Sequence, residues 1–331
     1  MRRTEGDHAD YIDPRKATTR LATPRRQSHS TGEAPMRFIL TIAFIFFMPV
    51  LIHARVLVVT AFPYIADITR IVGGDGVEVH SLASGTSHPH YVNANGAAAR
   101  AIGKADLLIV NGAGLEDEWL EGMLKGSKNA AIQPGKDGHL DLSELVDLIA
   151  EGQTTLRRTP QFTHNGVNPH HHLDPANIPV YADAIAARLQ RLDESNAGLY
   201  RANARSFVGE WKRRMKQWDS RLSDRKGSTV IQRHALFDYF LRRYDIVCAG
   251  SLEPAPGVSP TLQQANIILS ETPADRTALI IRDVFNTATA ANHLAARTGI
   301  KLVVLPHDVG SVPEAVDIFA LFDEIVRRLA E

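Results

Sequence analysis

The chain has 331 residues, 44% of them apolar, enough for one large domain or two medium ones with real cores. Lysine plus arginine and aspartate plus glutamate both total 37, so the formal net charge is zero, which argues against a nucleic-acid partner held by bulk electrostatics. Cys248 is the sole cysteine, which excludes an intrachain disulfide and a thiolate zinc site, whereas 14 histidines are many for this length.

Residues Met1 to Pro35 are polar, arginine-rich and patternless, and read as the product of a start assigned upstream of the true one. Met36-Arg37, the apolar run Phe38 to Ile52 and the exit His53-Ala54 describe a secretory signal peptide, with cleavage expected after Ala54. The run is shorter than the roughly 20 residues that a membrane span needs. It ends without a cysteine, so no lipid anchor on a new N-terminal cysteine is expected.

From Arg55 the pattern is α/β. Strands are expected at Arg55–Thr60, Val77–Leu82 and Asp106–Val110, the last a continuous buried-type run, with helices at Phe62–Val72, Asn95–Lys104 and Glu116–Lys125. Asn111-Gly112-Ala113-Gly114 contains GxG without the rest of a dinucleotide fingerprint and reads as a tight turn. A weak strand near Ala130, a helix over Leu140–Glu151 and a loop over Gly152–Val167 follow. Asp174-Pro175 signals a helix start, Asp174 as N-cap and Pro175 at the first position, running to about Leu192. Asn196–Leu222 reads as one long charged helix of about 40 Å. Its basic run Lys212-Arg213-Arg214 reads as a solvated face. A second set follows: strands Thr229–Gln232, Ile246–Ala249, Ala278–Ile281 and Lys301–Leu305, and helices Leu236–Tyr244, Thr261–Leu269, Thr287–Thr298 and Glu314–Leu329. Cys248 falls in a strand and reads as a buried side chain.

Alternating strands and helices in both halves imply two lobes with parallel sheets, joined by the long helix. The expected division is 1–54 (extension and signal), 55–174 (first lobe), 175–226 (linking helices) and 227–331 (second lobe). Ligands of such sheets bind beyond the C-terminal ends of the strands. That edge carries the histidines. His88-Pro89-His90 follows the second strand. Asn168-Pro169-His170-His171-His172-Leu173-Asp174-Pro175 leads out of the first lobe. His234 follows the first strand of the second lobe, and His307-Asp308 its last. If the triple histidine is extended, His170 and His172 share a face and His171 points away. Three imidazoles and a carboxylate suit tetrahedral Zn²⁺.

These segments resemble the periplasmic solute-binding proteins of zinc and manganese ABC transporters, whose two lobes are joined by a rigid helix. The resemblance covers Arg55 to Glu331. It is carried by Ser87-His88-Pro89-His90-Tyr91, by Asn168 to Pro175, by Arg233-His234-Ala235-Leu236-Phe237-Asp238-Tyr239-Phe240, and by Ala105 to Gly112 with Leu115-Glu116. It implies His90, His170 and His234 as metal ligands, with Asp308, His307 or water as the fourth and Asp308 preferred. Asp283 sits where the family has an acid in the second lobe, with a loop hydrogen bond as its default role. Histidine at the third place looks like the zinc-binding members rather than the Mn²⁺ ones. The resemblance further implies a monomeric zinc receptor of the periplasm that serves a membrane permease and is not an enzyme. Two departures stand out: His88 replaces the usual acid before Pro89, and the loop Gly152–Val167 holds only His164 where zinc-type members often carry a long histidine-rich loop. Two other readings compete: a secreted three-histidine zinc hydrolase, and a metal chaperone or adhesion protein on the same fold.

Overall fold

The central strands form where residues can be buried on both faces, whereas the outer strands Val77–Ser81, His139–Asp141 and Lys301–Val304 keep half-buried or exposed positions. The computed structural model describes residues 54–92, 96–150, 166–253, 258, 260–271 and 277–331. The signal-like segment up to His53 and most of the Gly152–Val167 loop, His164 included, lie outside the described residues. The first half contains β1 (Val56–Thr60), α1 (Pro63–Gly73), β2 (Val77–Ser81), α2 (Gly96–Lys104), β3 (Leu107–Val110), α3 (Asp117–Gly126) and β4 (His139–Asp141). All pairings are parallel, in the order β2-β1-β3-β4. Every residue of β3 is buried, as a continuous apolar run between two helical layers requires.

Two helices follow, α4 (Ile178–Leu192) and α5 (Ala197–Arg221), then β5 (Thr229–Gln232), α6 (Asp238–Arg243), β6 (Val247–Ser251), α7 (Leu262–Glu271), β7 (Thr277–Arg282), α8 (Thr289–Thr298), β8 (Lys301–Val304) and α9 (Ile318–Ala330). The second sheet, β6-β5-β7-β8, is again all parallel and repeats the order of the first. The 25 residues of α5 rise about 37 Å.

The principal core runs without a break from the first sheet through α1, α4 and α5 to one face of the second sheet. A smaller core fills the other face of that sheet, with Ile231, Ala249 and Ile280 against Ala265, Ile268, Ala291 and Leu294. α9 packs back on α5. Phe319 and Phe322 stack among Phe207, Trp211 and Trp218, and the Trp218 indole donates to Asp323 Oδ1 at 2.7 Å. The Ile318 backbone N–H donates to Asp67 Oδ2 of α1 at 2.8 Å, so α9 also ties the second half to the first. His53 to Glu331 form one compact unit.

Three local expectations are corrected. The strand placed near Ala130 is a 3-10 turn, Ala130–Ile132, capped by Asn129; the fourth strand is His139–Asp141, too short at three residues to leave a periodic signature. The helix placed at Leu140–Glu151 is instead this strand and a 3-10 turn, Leu142–Leu145, where the Asp141 carboxylate accepts from Ser143 N and stops propagation. Asp174 does not cap α4, which starts at Ile178 with Pro179 in its first turn. Asp174 Oδ1 accepts from Ala176 N at 2.9 Å, and the carboxylate takes a bidentate pair from Arg243.

Candidate metal centre

The edge formed by the strand C-termini brings three imidazoles together. One nitrogen each from His90, His170 and His234 lies within 4.8 Å of the others, and the residues are only 4%, 2% and 8% exposed. The two Nε2 atoms of His170 and His234 are 3.3 Å apart. Two ligands at Zn–N of about 2.05 Å and a tetrahedral angle are separated by about 3.3 Å. The pair therefore already has the spacing that a tetrahedral ion imposes.

Each histidine segment is fixed by its own local chemistry. The His90 loop closes on Ser84 and Ser87, whose hydroxyls meet at 2.8 Å, and on the Trp119 indole, which donates to Pro89 O at 3.2 Å. The Asn168 carboxamide oxygen accepts from His170 N at 2.9 Å. Its Nδ2 donates to Ala235 O at 2.8 Å and to Asp238 Oδ2 at 3.0 Å, just past His234. The Tyr239 hydroxyl donates to Asn168 O at 2.7 Å. One side chain thus sets the position of the second segment against the third, 70 residues away. Behind it, Asn111 Nδ2 donates to Pro169 O at 3.0 Å and Tyr64 OH to Asn111 Oδ1 at 2.9 Å. Asn111-Gly112-Ala113-Gly114 is the tight turn expected, with φ of 80°, 53° and 80° at its last three residues. Both oxygens of Glu116 accept from its Asn111 and Gly112 N–H groups, and burial pushes this carboxyl up to about 8.

The triple histidine is not extended. His171–Leu173 is a 3-10 turn with His170 at its N-cap, so successive rings point about 120° apart. His170 enters the centre. His171 donates from Nε2 to Asn111 O at 3.0 Å and accepts from the Tyr181 hydroxyl at 2.6 Å. His172 lies flat on Tyr64, rings 4.7 Å apart, and donates to His307 O at 3.2 Å. Burial holds His171 down at about 4 and His172 at about 3, so both are neutral wedges at pH 7.

His234 is oriented by a residue that the sequence reading missed. Its Nδ1 meets Glu253 Oε2 at 2.7 Å, and the same oxygen accepts from Arg233 Nη1 at 2.8 Å. A carboxylate accepts only, so Nδ1 carries the proton and the Nε2 lone pair faces the centre. Glu253 closely follows β6, on the same strand-exit edge as the histidines, and that position was the available signal.

Asp308 is not among the grouped ligands. Its Oδ1 accepts from Tyr64 N at 2.8 Å and Val309 N at 2.7 Å. It thereby caps α1, whose own N-cap residue, Phe62, has no side-chain acceptor. Burial, against those two backbone donors, holds the Asp308 carboxyl well above the usual range. His307 is buried with its ring 4.7 Å from Phe285, and burial lowers it to about 4. His88, lowered to about 4 chiefly by burial, packs on Phe285 and Tyr91 beside His90. Asp283 accepts from Asn286 N and Nδ2, the loop hydrogen bond that was its default. Among the described residues the grouped ligands are all imidazoles. Such a set suits zinc and other borderline ions better than ions that favour carboxylate oxygen.

The comparisons agree on a metal solute-binding protein. The metal ABC transporter substrate-binding lipoprotein ScbA of Streptococcus cristatus is 28% identical over 188 residues, 56% of this chain and 58% of that protein. The manganese ABC transporter substrate-binding lipoprotein PsaA of Streptococcus pneumoniae is 27% identical over 218 residues, 65% of this chain and 67% of that one. The chain spans about three-fifths of the length of the curated relatives it matches. Among solved structures, a crystal structure of ZnuA superposes with a TM-score of 0.69 at 20% identity, covering 84% of this chain and 98% of that one. The Cd-bound periplasmic metal binding protein from Candidatus Liberibacter asiaticus gives 0.69 at 20% identity, covering 82% and 97%. At such identities these two structures speak for the two-lobed α/β fold. The sequence model described as zinc-uptake complex component A, periplasmic (ZnuA), matches residues 58–331, essentially all of the two-lobed region, and the chain belongs to this family of metal solute-binding proteins.

Proposed function

We propose that this protein is a periplasmic zinc receptor: it captures Zn²⁺ on His90, His170 and His234 between its lobes and delivers it to the permease of an ABC transporter. The observation that carries this reading is the convergence of three buried imidazoles with no carboxylate in the group. The relatives' names include manganese and iron as well as zinc, so the family leaves the ion open and the donor chemistry supplies the preference. A small fourth ligand, water included, completes the tetrahedron. Burial of all three imidazoles also favours capture over hydrolysis, since a hydrolytic zinc needs an open position and a base beside it. The apolar segment before Ala54 supports secretion, and we take the working form to be a monomer.

Zinc titration of the parent and of His234→Ala, with Mn²⁺ as competitor, tests the reading. One Zn²⁺ per parent chain, retained against excess Mn²⁺ and lost in the variant, is expected. Undiminished zinc uptake by the variant rejects the third ligand, and preference for Mn²⁺ rejects the zinc assignment. Because the ligands bind as neutral imidazole, affinity is expected to fall as the pH is lowered.

A further inference from the structure

The chain is neutral overall, yet α5 alone carries seven bases against two acids. Glu210 is engaged by Arg213 and Arg214, and Arg214 also reaches Asp323. That leaves Asp219, near the end of the helix, as the one acid of α5 outside an ion pair among the described residues. Arg201, Arg205, Lys212 and Lys216 are all exposed. At 100° per residue they fall within about 60° of arc and run about 22 Å along the axis. Arg201 donates to the Gln190 carboxamide, and Arg205, Lys212 and Lys216 make no ion pair among the described residues. The neighbouring α4 adds exposed Asp183 and Arg191, which offset one another.

The residues around these cations decide what could sit on them. Gly198, Ala202, Ser206 and Gly209 beside them are exposed and small, and a Cβ at Gly198 or Gly209 would meet nothing within 4 Å; half-buried Val208 lies on the stripe, and exposed Asp219 falls in line with it just beyond Lys216. The helix's aromatics, Tyr200, Phe207, Trp211 and Trp218, all face the core. Among the described residues the stripe therefore offers no ring on which a base could stack. What it offers is long, flexible positive charge on a smooth convex rod, complementary to a flat and diffuse negative surface.

We propose that the outer face of α5 is a docking surface for anionic phospholipid, holding the receptor against the membrane by charge. The inference extends the receptor reading, because a protein that serves a membrane permease gains from concentration at that surface. Its test does not depend on metal. The compact unit 54–331 is sedimented with vesicles of phosphatidylglycerol and phosphatidylethanolamine, or of phosphatidylcholine alone, at low salt and at about 0.5 M salt. The same is done for the triple charge reversal Arg205→Glu, Lys212→Glu, Lys216→Glu and for the neutral triple Arg205→Gln, Lys212→Gln, Lys216→Gln. The parent is expected to bind only the anionic vesicles, to be released by salt, and to lose at least about tenfold in partition on reversal and less on neutralisation. Equal binding to both vesicle types, or unchanged binding by both variants, overturns the proposal. So does selective binding of the parent to an acidic protein or polynucleotide with no vesicle binding. Zinc uptake measured on the same samples reports separately on the receptor reading: a triple reversal that leaves the vesicles but still takes up zinc separates the two.

Discussion

Glu253→Gln isolates the contribution of a residue that never touches the ion. In the parent, Glu253 Oε2 lies 2.7 Å from His234 Nδ1 and 2.8 Å from Arg233 Nη1, with the Arg233 and Glu253 side chains 7% and 5% exposed. The substitution keeps the shape and removes the charge. Two effects with different readouts follow. The imidazole loses the anion that fixes its tautomer and orientation, and removing such an orienting partner costs about 10- to 100-fold in metal affinity. That is about 1.4–2.7 kcal/mol. Arg233 also loses its buried counter-ion, and breaking a buried pair from one side costs about 3–5 kcal/mol of stability. The first effect is read by competition with a fluorescent zinc chelator at pH 7.5, the second by urea unfolding of the metal-free protein. Adding Arg233→Met should recover much of the stability and none of the affinity. In a His234→Ala background, Glu253→Gln should change affinity little, because the residue through which it acts is gone. Parental zinc affinity in a destabilised Glu253→Gln protein would falsify the orienting role and leave Glu253 as the counter-ion of Arg233 alone.

Asp308→Ala removes the acceptor at the start of α1 and should lower stability by about 1 kcal/mol, with zinc affinity within about threefold of the parent; a hundredfold loss of zinc would show that the carboxylate reaches the ion after all. Gly85→Ala should destabilise the protein and weaken zinc binding together, since its Cβ would sit 2.1 Å from Val309 O and must push the His90 loop away from the 309–311 segment; a stability curve superimposable on the parent's would refute this. His307 supplies a pH test on metal-free protein. Its folded value of about 4 is below the unfolded value of about 6.5, so the neutral form is favoured by folding. Its stabilising contribution is complete above about 6.5 and is lost as pH falls toward 4, at up to about 1.4 kcal/mol per pH unit. His307→Gln should flatten the stability profile in that window, and an unaltered slope would show that His307 is already protonated or exposed.

The two parallel sheets were legible because strands alternate with helices in both halves and β3 is a continuous apolar run with no polar face to hide, and the histidine segments stood out because they sit where such sheets bind ligands. The short fourth strand was not. Three residues at a sheet edge carry no period, and the apolar residues after it imitate a helix that Asp141 and the Tyr239 hydroxyl interrupt. The triple histidine was half legible. Its importance showed in the sequence, but the division of the three rings among the centre, Asn111 and Tyr64 follows from the 3-10 turn, which spacing alone did not reveal.

Sequence by itself determined the fold class and that Cys248 is the sole cysteine, and it singled out the three imidazoles that the structure groups, through their positions at strand ends and the resemblance of their segments to a family. Tertiary structure decided the rest. That Asp308 Oδ1 meets the start of α1 depends on where Tyr64 N lies, 244 residues away. Whether His234 presents Nε2 depends on a carboxylate 19 residues further on. Hydrogen-bond partners are fixed by distances of a few ångströms between segments remote in the chain, and periodicity carries no record of those distances.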